Sequence, residues 1–517
     1  MSAQLARGAE PAAPAATEPA ENHFDIWEIR VEGNSLLDVR DVERAVYPSL
    51  GPGRSLADVE TARSSLEKLY QSRGYATVIV NIPEQAVEQG LVTLKITEAR
   101  LDRVHVTGAR YHSNREIRES ITEAAPGEVP NVTALIGQIG KVSQRSRDVQ
   151  VAPILKAGRV PGTVDLELRV KDARPIHADV SLTNAHTLDT TDLRLNAGLT
   201  YSNLWQKDHS LSVQYQMSPQ NVGEVDVWAS TYLWRRADSD SLFAFFWVDS
   251  NSDVVSLGTT TVLGKGTTLG ARSIHPDLLS FGSWRGTFVY GADYKDTTDN
   301  LELGPDLSLE TKLQYMNLTT AVTFARAGES AQTSFDVGLN FGPRGLLNDR
   351  TEFESKRFKA EPNYLYMTAA ARHERRFAED WSWLVRGRSQ MTGSRLIPNE
   401  QFSMGGTATV RGYLEAERLA DYGFVATLEL RRAIRQQPVY GLSIGDAYAF
   451  VDGGYGWIND ALPDQDDRFG LLSVGIGMDL LLLDNFDLTL QGALPLNAAQ
   501  ETRAGDLRLL FEAQYNL

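Results

Sequence analysis

Two short clusters in the last quarter of the chain carry side chains suited to specific polar chemistry. Val410-Arg411-Gly412-Tyr413 closes the stretch SMGGTATVRGY. FVDGGYGW follows, with Phe450, Asp452 and Gly454 spaced F-x-D-x-G and Asp452 forty-one residues after Arg411. Read alone, Arg411 is a solvated loop charge. If its loop folds into a confined space, the guanidinium needs a carboxylate, and Arg–carboxylate pairing is bidentate and directional. Phe450 and Asp452 share one face of a strand pattern, while Gly453 and Gly454 remove side chains and leave room for a loop to approach. The chemistry open to these residues is holding rather than turnover.

Motifs for catalysis fail on context. Gly441-Leu442-Ser443-Ile444-Gly445 matches G-x-S-x-G, but that motif needs a sharp strand-to-helix turn, and DAYAFVDGGYG after it reads as strand. GTTTVLGKG (258–266) misses a P-loop by one residue between its glycines and has Gly266 where Ser or Thr should hold magnesium. The eight His residues are scattered, without H-x-x-x-H spacing on a helix. The absence of Cys removes thiolate zinc sites, disulfides and Cys nucleophiles. No catalytic residue, metal site or cofactor is expected. A formal charge of −16 argues against a nucleic-acid partner, because phosphate neutralisation needs excess Lys and Arg.

The elements that position these clusters change character near residue 175. No run of 18 apolar residues exists, which excludes helical membrane spans but leaves β-barrels open. After Ala173 period-two segments follow one another; Leu507, Leu509, Phe511, Ala513, Tyr515 and Leu517 alternate with the residues between them. Sixteen candidate strands begin near 176, 190, 208, 224, 241, 265, 281, 311, 330, 361, 380, 421, 442, 468, 485 and 505. Short connections (204–207, 237–240, 327–329, 378–380, 484–485) alternate with long ones (253–264, 296–310, 343–360, 393–420, 457–467, 494–504), with only a tight turn after the third strand. Even strand number with short turns at one end and long loops at the other is the outer-membrane barrel pattern. A large soluble β-protein with irregular loops also alternates and stays open as a reading. V-R-G-Y falls in the longest loop, after strand eleven, and F-x-D-x-G in strand thirteen.

Ahead of this lie two copies of a β-α-α-β-β unit. In the first, IWEIRVEG carries apolar residues at 27, 29 and 31. Residues 55–75 form a helix with Ser55 as N-cap, Asp58 three residues on and Gly74 as stop, and strands follow at 76–82 and 90–97. In the second, LDRVHVTG (101–108) echoes WEIRVEG, with helices at 114–123 and 132–145 and strands at 149–155 and 163–170. Residues 1–23, rich in Ala, Pro and Glu, read as a flexible linker with no signal-peptide core.

In that order, two β-α-α-β-β units, sixteen strands, V-R-G-Y after strand eleven and F-x-D-x-G in strand thirteen resemble the outer-membrane transporters and insertases with POTRA domains. Two units resemble the two-partner secretion transporters, the haemolysin and filamentous-haemagglutinin secretion proteins. YSNLWQKDHSLSVQYQMSP (201–219) and VLGKGTTLGARSI (262–274) are also similar to barrel strands of that family.

The resemblance implies a sixteen-stranded antiparallel transmembrane barrel (174–517) after POTRA units at 24–98 and 99–173. The loop 393–420 would turn inward, with Arg411 pairing with Asp452, Gly412 permitting the turn and Tyr413 packing on the wall. It implies an outer-membrane location with periplasmic POTRA units, and a signal peptide missing from this numbering. The implied partners are a secreted client with an N-terminal secretion domain, of the β-helical adhesin or cytolysin type, outer-membrane lipids, and the barrel-assembly machinery. A pore-plugging helix of the kind some relatives carry is expected to be absent or removed. Leu517 stands where the family commonly ends in an aromatic residue. An assembly factor or insertase for other barrels, usually with three or more POTRA units, and a diffusion porin are the rival readings.

Overall fold

A computed structural model describes residues 23–517 apart from 189, 237–238, 253, 258–259, 305–306, 435–441, 464 and 483–484. The linker expected over 1–23 therefore lies almost wholly outside the described residues. So do Gly441 of G-x-S-x-G, Gly258 and Thr259 of the P-loop near miss, and parts of the short turns at 237–240 and 484–485. The chain forms two compact units that part between Arg174 and Pro175.

The first unit contains the same α+β motif twice. Strand Glu28–Glu32 runs parallel to Leu91–Glu98, which pairs antiparallel with Val78–Asn81. Arg100–Thr107, Thr163–Asp172 and Val149–Ala157 repeat this order. The last strand is central in both sheets because the helix pair carries the chain across to a parallel edge. Helix Leu56–Ser72 begins at a Ser55–Asp58 capping box, and Gly74 beyond its end has φ +94°. Its inner face of Val59, Ala62, Leu66 and Tyr70 meets Val92, Leu94 and Ile96 in one core. The second motif builds a separate core from Leu135, Ile139, Leu166 and Leu168. Trp27, expected on the apolar face with Ile29 and Val31, is 60% exposed; Ile26 is buried in its place because Phe24–Ile26 pairs with Gly51–Arg54 instead.

The repeat extends to detail. Gly33 (φ +90°) and Gly108 (φ +85°) end the first strand of each motif, where a Cβ would collide with the central strand's Ile96 or Val170 carbonyl. Two residues beyond each carbonyl stands an acid that clamps the following loop. Glu98 accepts from Ser35 N (2.8 Å) and Leu36 N (3.1 Å), and Asp172 from the amides of Arg110, Tyr111 and His112 at 2.7–3.0 Å.

The second unit is a closed antiparallel barrel of sixteen strands. Its strands are β1 (Ile176–Thr183), β2 (Arg194–Leu204), β3 (His209–Met217), β4 (Asp226–Arg235), β5 (Leu242–Ser250), β6 (Lys265–His275), β7 (Arg285–Gly304) and β8 (Leu307–Ala327). They continue as β9 (Ala331–Phe341), β10 (Leu365–Arg376), β11 (Trp381–Thr392), β12 (Tyr422–Ala433), β13 (Leu442–Trp457), β14 (Arg468–Leu482), β15 (Phe486–Pro495) and β16 (Arg508–Asn516). The ring closes between β16 and β1, from Glu512 opposite Thr183 to Asn516 opposite Asp179. Closure leaves no unpaired sheet edge to hydrogen-bond in a medium without water.

Alternation sorts each strand by side. On β12–β14 the outward Leu428, Val451 and Ile476 are 53%, 45% and 69% exposed, whereas the inward Thr427, Glu429 and Asp452 are buried. Outward aromatic pairs mark both rims: Tyr215–Trp228 and Tyr422–Trp457 at the long-loop end, Trp234–Phe243 and His373–Trp383 at the short-turn end. Such girdles suit the interfacial zones of a bilayer.

Two connections differ from expectation. The long loop expected over 296–310 is a continuation of the β7–β8 ladder, whose pairing runs on to Gly304 opposite Leu307. Its Thr, Asp, Asn and Glu residues read as loop by composition, but beyond the bilayer a hairpin can be polar on both faces. After β3 the tight turn is an eight-residue connection, 218–225. The Leu442-Ser443-Ile444-Gly445 part of G-x-S-x-G lies at the start of β13, a strand that continues to Trp457.

Candidate functional site

The connection between β11 and β12, residues 393–421, enters the barrel lumen and meets inward-facing side chains around much of the wall. It contains the turn Pro398–Glu400 and a small hairpin, Phe402–Met404 against Arg418–Ala420. Gly405, Gly406 and Gly412 have φ of +103°, +101° and +95°, a conformation that costs an L side chain strain. The tip is braced from within: Thr409 Oγ1 donates to the Gly405 carbonyl (2.8 Å), and the Glu415 carboxylate accepts from the Thr407 amide (2.7 Å) and hydroxyl (2.9 Å).

Arg411 projects from this tip and is 2% exposed. Its Nε donates to Asp452 Oδ2 at 2.7 Å and its Nη2 to Oδ1 at 2.9 Å, and its backbone amide adds a third bond to Oδ2 at 3.1 Å. Glu429 Oε1 of β12 lies 2.9 Å from the same Nη2. The guanidinium carbon rests 3.4 Å from the centre of the Phe450 ring, a stacked cation–π contact. The ring lies against Gly475 of β14, where a Cβ would overlap it. A cation in this position is held by two carboxylates and one aromatic face. Removing either member of such a buried pair leaves an uncompensated charge at a cost of about 3–5 kcal/mol.

The neighbouring motif residues seat the loop. Val410 is buried with Phe402, Met404, Tyr413, Val425 and Leu471. Gly412 passes β15, with Ala493 Cβ and Pro495 Cδ each 3.4 Å from where its own Cβ would stand. The Tyr413 hydroxyl reaches the carbonyls of Leu472 (3.0 Å) and Asn497 (2.8 Å). At Gly454 a Cβ would stand 2.8 Å from Met404 Cε, so this glycine is where the hairpin's thioether presses onto β13. The structure thus brings Val410, Arg411, Gly412, Tyr413, Phe450, Asp452 and Gly454 to one place.

Several residues of the site escaped the sequence reading. Glu429 also holds Arg431 (2.7 Å), which lies 3.5 Å from Asp479. Period two was the available signal, since Val425, Thr427, Glu429 and Arg431 form the inward face of YGFVATLELRRA. Away from the tip, buried Glu400 accepts from Lys295 Nζ (2.5 Å), Tyr315 (2.7 Å) and Tyr366 (2.8 Å). Asp421 takes a bidentate pair from Arg357 and the amides of Leu396 (3.0 Å) and Asn459 (2.6 Å). Glu417 binds the amides of Glu501 (2.9 Å) and Thr502 (2.8 Å). These acids lie in non-periodic loop sequence, where no spacing reports a partner.

Comparison with known proteins adds a family to this geometry. The family model described as "POTRA domain, ShlB-type" matches residues 24–99. That of "Haemolysin secretion/activation protein ShlB/FhaC/HecB" matches 306–480, the stretch holding both motifs. The heme/hemopexin transporter protein HuxB of Haemophilus influenzae is 21% identical over 463 residues, 87% of this chain and 79% of the relative. The outer membrane transporter CdiB of Dickeya dadantii is 22% identical over 448 residues, 84% and 76% of the two chains. In fold, the chain is similar to the solved structure of CdiB from Escherichia coli, with a TM-score of 0.69 at 17% identity over 98% of this chain and 93% of the other. With a match to the ShlB-type POTRA model ahead of its sixteen-stranded barrel, the chain is similar to the haemolysin secretion/activation family ShlB/FhaC/HecB over the stretches those models match.

Proposed function

We propose that this protein is an outer-membrane transporter of two-partner secretion. It captures an unfolded client exoprotein with POTRA domains at 24–98 and 99–173, on the periplasmic side, and passes it through the barrel to the cell surface. One observation carries the reading: a sixteen-stranded barrel, wide enough for an aqueous channel, holds a loop in its lumen by the buried contacts of Arg411 with Asp452 and Glu429. A chain crossing this lumen must displace that loop, so Val410, Arg411, Gly412 and Tyr413 act as the moving part and Phe450, Asp452 and Gly454 as its seat. The pairing keeps the resting pore narrow and yields to the client. Each α+β unit offers a sheet edge at which an extended peptide can add as a strand, using backbone hydrogen bonds indifferent to sequence. No nucleotide or cofactor enters. The client is a large secreted protein with an N-terminal secretion domain, and outer-membrane lipids and the barrel-assembly machinery are partners during biogenesis.

The test is secretion in cells. Arg411→Ala and Asp452→Ala should each lower the amount of one exported protein at least tenfold while heat-modifiable, folded barrel persists in the outer membrane. Normal export by both variants would remove the loop from the mechanism. A general loss of outer-membrane proteins on depletion, rather than of one exported client, would instead indicate an assembly factor.

A further inference from the structure

Arg386 on β11 faces the lumen: Gln390, four residues along the same face, donates to the Glu400 (3.0 Å) and Asp421 (3.1 Å) carbonyls of the inward loop. Among the described residues the Arg386 guanidinium has no ion pair, and its buried Nε has no hydrogen-bond partner. A partly buried arginine in that condition is unusual, since burying a charge is costly without a counter-charge. Its surroundings in the sheet explain what it could serve. Arg386 stands opposite Thr427, and Thr427 opposite Asp452, so the three occupy one row across β11, β12 and β13. Glu429 is the next inward residue along β12, on the diagonal. Two strand spacings put the Arg386 and Asp452 backbones about 10 Å apart, a span that one extended arginine and one aspartate side chain cover together.

In the structure described here that space is already taken. Among the described residues Arg411 supplies every hydrogen bond that the Asp452 carboxylate accepts, and its charge repels Arg386 while both carboxylates attract it. Once Arg411 leaves, Glu429 keeps Arg431 at 2.7 Å, but among the described residues Asp452 keeps no cation. A buried carboxylate stripped in this way would make the released state of the loop too rare to serve transport.

We propose that Arg386 is the stand-in cation for Arg411: when the loop withdraws, the Arg386 guanidinium crosses Thr427 onto Asp452, and it retreats when Arg411 returns. This rests on the reading of the loop as a gate and adds the residue that makes the gate reversible. With one carboxylate served by two alternative cations, the docked and withdrawn arrangements come close in free energy, as a two-state element requires. Arg386 is here a positioning residue, acting through Asp452.

The experiment is single-channel recording in planar bilayers of the full-length protein and variants at fixed salt and voltage. Arg386→Gln should lower open-state occupancy about tenfold, roughly the equivalent of one charge-assisted hydrogen bond, with closed-state conductance unchanged. Arg386→Lys should recover most of that loss, because a flexible ammonium can also reach Asp452. In an Asp452→Asn background the further change Arg386→Gln should alter occupancy less than twofold, there being no carboxylate left to receive the cation. Equal occupancy in wild type and Arg386→Gln, or an equal effect with and without Asp452, would overturn the stand-in role. If Arg411→Ala alters gating and Arg386→Gln does not, the gate stands and only the stand-in fails. If Arg411→Ala leaves gating unchanged, the gate fails and Arg386 with it.

Discussion

The first unit and the barrel use the same period-two strands in opposite senses. In the first unit Leu94 and Ile96 point into a core closed by Leu66 and Tyr70, and charges such as Arg63 and Glu60 pair at the surface. In the barrel Leu428, Val451 and Ile476 stand exposed, while Arg411, Glu429 and Asp452 are enclosed. Water surrounds the one and lipid the other, so the hydrophobic effect places apolar side chains inward in the first and outward in the second. The enclosed charges of the barrel follow from this. With apolar residues committed to the outer face, the interior is polar, and a loop can be fixed there only by hydrogen bonds and ion pairs. Packing sets the stability of the small unit; the ladder and the lumen pairs set that of the barrel.

That contrast can be broken from either side. The largest effect should come from Leu66→Ala, about 2–5 kcal/mol off the first unit, seen as a lower urea midpoint for proteolysis of residues 23–174 with the barrel unaffected. Next, Leu428→Arg should cost the barrel about 2–4 kcal/mol in refolding titrations into lipid vesicles, because the charge must sit in hydrocarbon. Leu428→Ala should cost clearly less there than Leu66→Ala costs the first unit, since it leaves no cavity. Ser55→Ala removes half of a capping box and should cost the first unit about 1 kcal/mol by the same proteolysis assay.

The smallest effect concerns Asp172. Burial alone would raise its carboxyl, but the amides of Tyr111, Arg110 and His112 hold it below the usual aspartate range. A depressed folded value stabilises the second α+β motif above the unfolded pKa, near 4, and that contribution fades as pH falls through the folded value. Acid titration of Asp172→Asn should show a shallower loss of protection of residues 100–172 from exchange than wild type. An identical slope would remove the clamp from the account.

Much of this could be read from the chain because local pattern and long-range pairing coincide. The strands of the barrel start within a few residues of where alternation resumes, and the helices expected over 55–75 and 132–145 form as Leu56–Ser72 and Val132–Arg145, whereas the one expected over 114–123 ends at Glu119 and gives way to a 3-10 turn at Thr122–Ala124. Where pattern and environment part, reading fails. Polar β7–β8 sequence beyond the bilayer forms ladder although its composition says loop. Trp27 is apolar and stays exposed because Ile26 takes its place in the core. In the site, F-x-D-x-G and V-R-G-Y stand out as motifs, but the strand and loop partners named above for Glu400, Asp421 and Glu417 lie 25 to 105 residues away in sequence, and nothing local encodes such distances. Glu429 and Arg431 were within reach of the period-two rule, and they are the residues that turn a pair into a network.

On the proposed reading, the buried contacts of one arginine keep the inward loop in the lumen and so control the pore. Bilayer recording of the purified protein against Arg411→Ala tests it most directly. Longer and more frequent openings are expected in the variant, by tenfold or more in open-state occupancy, from a barrel that remains folded by heat modifiability. Indistinguishable opening statistics in the two proteins would contradict it.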